Sequence, residues 1–164
     1  MDNFDWTSFK LQIAIKKTEE ELFNAWAVPS EIEKWFLKTA EYTGQQNANR
    51  EKNLSTETGD RYNWTWYLYS ETEHGRILNV APAKSFSFTF AGDCIVNVTF
   101  RPDGEYTIVQ LTQSEIPTDE RSKKEIRLGC EKGWSFFLVN LKSFYENGID
   151  LRNKDERLKG MVNS

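Results

Sequence analysis

Few side chains in this 164-residue chain are equipped to make or break bonds. A hydrolase or transferase needs a nucleophile, a base and a group that orients the base, all brought together. His74 is the sole histidine, so a cage of several imidazoles and a two-histidine relay are both excluded. Its neighbours Glu73 and Gly75 suit an exposed hairpin turn. Cys94 falls in a strand-like alternation and Cys130 on a helical stripe, and neither sits in a sequence context that predicts a lowered thiol pKa. Asp119 and Glu120 are adjacent at an expected helix start, where a cap accounts for them. The words GxGxxG, GxSxG, HExxH and GxxxxGK[ST] are all absent. No catalytic residue, metal ligand or cofactor is expected.

Apolar bulk suited to non-covalent binding is abundant. Six Trp, six Tyr and eleven Phe are enough rings either to fill a core or to wall a cavity. A pocket for a small molecule needs aromatic walls and a few polar groups that orient the guest. Trp64, Trp66, Phe88, Trp134, Phe137 and Leu141 are the candidate walls. Tyr67, Asn97, Thr99 and Arg101 are the candidate polar contacts, provided that their strand faces turn inward.

The elements that must position these residues are legible from periodicity. From Ser122 to Asn147 the large apolar residues Ile126, Cys130, Trp134, Phe137, Leu138, Leu141 and Tyr145 recur at helical steps, which predicts one long amphipathic helix. Ser122 and Glu125 have capping-box spacing, with Thr118 or Asp119 as alternative caps, and Gly148 suits a left-handed close. Gly129 and Gly133 lie one turn apart on this helix; they allow either a close approach to a sheet or room for a bound molecule.

A rod of this length needs a broad partner surface, and the preceding chain supplies strands. Phe9–Ile15 alternates as a half-buried strand; Thr18 with Glu21 opens a short helix, and Pro29 opens another. Thr39–Tyr42 reads as a short strand and Tyr62–Tyr69 as a longer one, with a brief strand expected at Lys52–Thr56. A turn is expected at Glu73–Gly75, then strands at Arg76–Ala81, Ser85–Phe90, Cys94–Arg101 and Glu105–Ser114. Connections of a few residues leave no space for crossover helices, so the sheet is antiparallel. The expected fold class is α+β: a curved sheet of six or seven strands around a long C-terminal helix, with two short helices after the first strand. One domain is expected over 1–164, with its core at about 9–148 and a loose or frayed tail at 149–164.

Charge and targeting bound the partners. Lys and Arg total 21 against 25 for Asp and Glu, a net charge of -4, and no basic block exists to neutralise phosphates, so nucleic acid is not an expected partner. The opening MDNFDWTSFK is no signal peptide, and no apolar run reaches the roughly 18 residues of a membrane span. The two cysteines lie in apolar patterns and suit buried small hydrophobes, and a cytoplasmic location is expected. The sequence carries no signal for oligomeric state.

Several local words resemble one family. VPSEIEKWF (Val28–Phe36), GDRYNW (Gly59–Trp64), GRILNVAPAKSFSFTF (Gly75–Phe90), VNVTF (Val96–Phe100), YTIVQLTQSEIP (Tyr106–Pro117) and GWSFFLVNLKSFYENG (Gly133–Gly148) are together similar to activators of the 90-kDa heat-shock protein ATPase. These belong to the larger helix-grip group shared with birch-pollen allergens, START lipid-transfer domains and polyketide cyclases. The resemblance implies a β-α-α-β6-α order and a cavity between sheet and last helix. The eukaryotic activators stimulate the chaperone's ATP hydrolysis using an additional N-terminal domain, which lies outside the similarity beginning at Phe9. Asp60 stands where a second small residue is frequent, and Gln113 where relatives commonly have His. The expected function is non-enzymatic binding of a small hydrophobic or amphipathic molecule in that cavity. The alternatives are an interaction domain modulating a heat-shock chaperone ATPase, and a cyclase-like or hydrolytic enzyme with a polar triad inside the cavity.

Overall fold

A computed structural model describes residues 3–164. β1 (Phe9–Ile15) is followed by two short helices, α1 (Glu19–Ala27) and α2 (Pro29–Ile32). Thr18 caps α1 with the anticipated box: its hydroxyl accepts from Glu21 N, and the Glu21 carboxylate accepts from Thr18 N. Pro29 occupies the first turn of α2, where its missing N–H is harmless. Six strands come next: β2 (Thr39–Thr43), β3 (Arg61–Thr65), β4 (Thr72–Ala81), β5 (Ser85–Phe90), β6 (Cys94–Asp103) and β7 (Tyr106–Ser114). They form one sheet in the order β1-β7-β6-β5-β4-β3-β2, antiparallel at every pairing.

Alternation along the strands assigns one face to the core. In β6, Cys94, Val96, Val98 and Phe100 are buried; in β7, Thr107, Val109, Leu111 and Gln113 are buried. The chain then forms one continuous helical rod over residues 120–147, made of α3 (Glu120–Ser122), a π-helical turn (Lys123–Leu128) and α4 (Gly129–Asn147). Trp134, Leu138 and Leu141 of α4 are buried, with Ile126, Cys130, Phe137 and Tyr145 half-buried along the same stripe.

Of the caps offered for the long helix the structure uses Asp119, and three other expectations about local structure are corrected. The rod starts earlier than Ser122, because the Asp119 carboxylate accepts from both Ser122 N (3.0 Å) and Ser122 Oγ (2.6 Å), and an anion at this end also complements the helix dipole. Ser122 is already helical and Glu125 pairs with Arg121 instead. The run Tyr62–Tyr69 is not one strand: the ladder ends at Thr65 and Leu68 turns the chain with φ 68°. Glu73–Gly75 is then strand, with His74 Nδ1 2.6 Å from Asn63 Oδ1 across the β3–β4 ladder, and Gly75 is required because a Cβ there would strike the Tyr62 ring. Lys52–Thr56 forms no strand; it is tied to the short helices through Ser30 N to Lys52 O (2.7 Å) and Thr56 N to Ala27 O (2.9 Å). Buried Asp60 anchors the same loop by accepting from Arg50 Nε (3.0 Å) and Nη2 (2.8 Å).

Residues after Gly148 are not loose. Asn140, wholly buried in α4, donates to Trp35 O (2.7 Å) and to Asp150 Oδ1 (3.1 Å) and accepts from Leu151 N (2.7 Å). Arg152 donates to Leu37 O (2.9 Å) and Glu33 O (3.0 Å) while chelating Asp150. The end of the chain is thus a strap fastened across α2 and the long helix. Burial alone would raise the Asp150 pKa, but hydrogen bonds from Arg152 and Lys154 hold it well below the usual carboxylate range. A folded-state pKa below the unfolded value stabilises at pH above about 4 and loses that contribution as the pH falls through the folded value. Asp150→Asn should therefore cost about 1–3 kcal/mol in urea unfolding at pH 7, with the gap between variant and parent closing below about pH 4.

Candidate functional site

The concave side of the sheet is largely filled by rings. Trp134 lies among Trp26 (centroids 5.7 Å), Phe36 (4.8 Å), Phe88 (6.2 Å) and Phe90 (5.1 Å). Trp26 contacts Trp35 at 4.7 Å, and Trp64 stacks on Tyr62 at 3.8 Å. Three indole N–H groups are satisfied within this core: Trp134 Nε1 donates to Gln113 Oε1 (3.0 Å), Trp64 Nε1 to Tyr42 Oη (3.0 Å) and Trp35 Nε1 to Ala25 O (2.9 Å), whereas the buried Nε1 of Trp26 has no hydrogen-bond partner. Beneath α1 and α2 the rings of Trp26, Trp35 and Phe36 pack on one another and on Phe88 and Trp134.

Space opens at the other end, along the first turns of α4. A hollow of about 310 Å³ is walled by Phe36, Trp66, Phe90, Trp134 and Phe137, with Gly129, Cys130 and Gly133 along the helix and Glu125 at its margin. A second hollow of about 330 Å³ adjoins it, sharing Trp66, Gly133 and Phe137 and adding Tyr69, Glu71 and Ser164. Together they make one apolar groove between the long helix and the β3–β4 connection, in the size range of small-molecule sites. The two helical glycines decide its width. A Cβ on Gly133 would meet nothing within 4 Å, and one on Gly129 would meet only Lys124 O at 3.7 Å. They therefore do not let the helix press on the sheet; they leave free volume beside it.

The polar atoms near the groove are few. Gln113, fully buried, offers Oε1 to Trp134, while its amide nitrogen lacks a well-formed hydrogen bond and faces the Cys94 and Cys130 thiols. Burial pushes the Cys130 thiol up to about 11, against the opposing influence of the Gln113 amide, and burial raises Cys94 as well. Both thiols are accordingly held in the protonated form, and that of Cys130 lines the groove. Among the described residues, no three His, Cys, Asp or Glu side chains are gathered as metal ligands would be.

The ten residues singled out from the sequence scatter. Trp66, Trp134 and Phe137 line the groove. Trp64, Phe88 and Leu141 are packed in the core beneath it. Tyr67 lies outside, under the cations of Lys154 (4.7 Å) and Arg152 (5.3 Å) from the strap. Asn97, Thr99 and Arg101 are corrected: Val96 and Val98 take the core face of β6, so the strand's two-residue period turns these three to the outer surface. Phe36, Phe90, Glu125 and Cys130 were not among the wall candidates; the glycine pair at 129 and 133 was the signal that pointed to their neighbourhood.

A curved antiparallel sheet gripping a long C-terminal helix, with short helices after the first strand, is the helix-grip fold. Solved structures share it: a Staphylococcus saprophyticus protein (17% identity, TM-score 0.69, 88% of this chain and 96% of that one), the Aha1 dimer of Colwellia psychrerythraea (18%, 0.66, 86% and 97%) and an HSP90 activator of Plasmodium falciparum (18%, 0.61, 85% and 96%). The sequence model described as "Activator of Hsp90 ATPase homolog 1-like protein" matches residues 16–146, and the chain belongs to that family. No curated protein matches the sequence. Among the described residues, no helix is long and apolar enough to cross a membrane.

If Gly133 faces open space, Gly133→Ala should stabilise the protein by up to about 1 kcal/mol through helix propensity alone. Gly75→Ala, driven against Tyr62, should destabilise it; thermal or urea unfolding of the two variants separates these opposite signs.

Proposed function

We propose that the protein is a non-catalytic carrier or sensor that holds a small apolar molecule in the groove beside Gly129 and Gly133. The observation that supports this most directly is the pair of glycines, which cost helix stability and make no close contact that would require them. The aromatic lining of Phe36, Trp66, Phe90 and Phe137 supplies the apolar surface, and the two adjoining volumes suit a guest of one or two rings. The neutral thiol of Cys130 argues for a wall rather than a nucleophile.

A second reading is modulation of a heat-shock chaperone. It is supported by the family description and by the Plasmodium relative named an HSP90 activator. Exposed apolar side chains at Leu128 and Val139 on the rod, and at Ile149, Leu151, Leu158, Met161 and Val162 after it, are available for contact with a partner.

The neutral dye N-phenyl-1-naphthylamine should bind with about one-to-one stoichiometry and quench tryptophan emission. Gly133→Leu, which fills the groove from a position where a Cβ has space, should abolish binding while the circular dichroism is unchanged. Equal binding by the variant, or none by the parent, would remove the groove as the site. For the chaperone reading, the ATPase rate of an Hsp90-type chaperone should rise on mixing with the protein; an unchanged rate removes it.

A further inference from the structure

The groove has a charge preference that goes beyond its apolar character. We infer that its guest is an organic cation: an aromatic or alicyclic body carrying a protonated amine or a quaternary ammonium group. This rests on the groove being the ligand site. The walls meet nearly at right angles, Phe36 to Trp66 at 76° and 5.5 Å, Phe36 to Phe137 at 81° and 4.8 Å, Trp66 to Phe90 at 73° and 6.3 Å. These are edge-to-face contacts, so the open hollow beside them is walled by aromatic rings, a lining that an ammonium group approaches favourably and a carboxylate does not.

The chain's own cations do not occupy those faces. Lysines and arginines lie over Phe4, Trp6, Phe9, Tyr67 and Tyr106, and among the described residues none lies over Phe36, Trp66, Phe90 or Phe137. The ionisable side chains that line the two hollows are Glu125, Cys130, Tyr69 and Glu71, with no lysine or arginine. Glu73 adds negative potential from the strand side: its carboxylate accepts from Ala91 N (2.7 Å), next to the Phe90 wall, and it acts on the Cys130 thiol. Glu125 is paired with Arg121 at 2.8 Å, but both side chains are more than half exposed, so water screens that pair and the carboxylate stays available to a guest. A fatty acid or phosphate ester would meet like charge from Glu125 and Glu71 and an aromatic lining between them.

Three naphthalene probes of matched size separate charge from hydrophobicity: 2-naphthylethylammonium, 2-naphthylethanol and 2-naphthylacetate, titrated by calorimetry at pH 7 and low salt. The ammonium should bind about tenfold tighter than the alcohol, and the carboxylate weakest of all. Glu125→Gln combined with Glu71→Gln should shrink the ammonium advantage severalfold, as should added salt. Alcohol or carboxylate binding as tightly as the ammonium would overturn the charge preference and leave the groove standing as an apolar site. Failure of all three to bind would overturn the groove reading itself. An ammonium preference that persists in Gly133→Leu would place the cation elsewhere and overturn the proposal.

Discussion

The packing of Trp134 is the constraint on which the rest of this structure depends. Its ring touches residues of α1, β5 and the segment after α2 at once, and its N–H is held by Gln113 on β7. An indole buried without that acceptor would carry an unpaired donor into the core. The helix can therefore rotate or slide little without breaking either the ring contacts or the hydrogen bond. Fixing the helix at Trp134 also fixes Gly133 and Phe137 beside it, and so fixes the width of the groove.

Core and groove are built from the same ring types, yet the chemistry differs because of what faces each ring. Beneath the short helices every ring meets another ring or an aliphatic side chain, and the result is solid. Beside Gly129 and Gly133 the helix has two positions without side chains, and free volume results. The strap from Asp150 to Ser164 closes the arrangement on one side: it is pinned through Asn140 and Arg152 and brings Ser164 to the groove's edge, where Tyr69 Oη donates to Ser164 O at 3.3 Å.

Much of the fold was legible because the periods of strand and helix are strong signals. Val96 and Val98, the Phe86, Phe88 and Phe90 series and the stripe on the rod each assign a face without ambiguity. Two errors trace to bulk rather than pattern. The aromatic run after Tyr62 carries no glycine or proline to announce the turn, which Leu68 makes in a left-handed conformation. Conversely, Gly75 looks like turn chemistry but exists to make room for Tyr62 across the ladder. At the candidate site the rings were visible and their depth was not: Trp64 and Trp66 are two residues apart, yet one is core and the other is wall. Asn97, Thr99 and Arg101 could have been discarded from β6 alternation alone, since Cys94, Val96 and Val98 already claim the inner face. The strap was illegible because its anchors are single polar residues whose partners lie far away in sequence, such as Arg152 with Glu33 O and Leu37 O.

The sulfur of Cys130 has one further consequence. With its thiol raised to about 11, only a small thiolate fraction exists near neutrality, so oxidants and electrophiles find little to attack although the residue lines an opening. The groove thereby acquires a soft, polarisable surface whose thiol reacts slowly near neutrality with a guest bearing an aldehyde or an activated double bond.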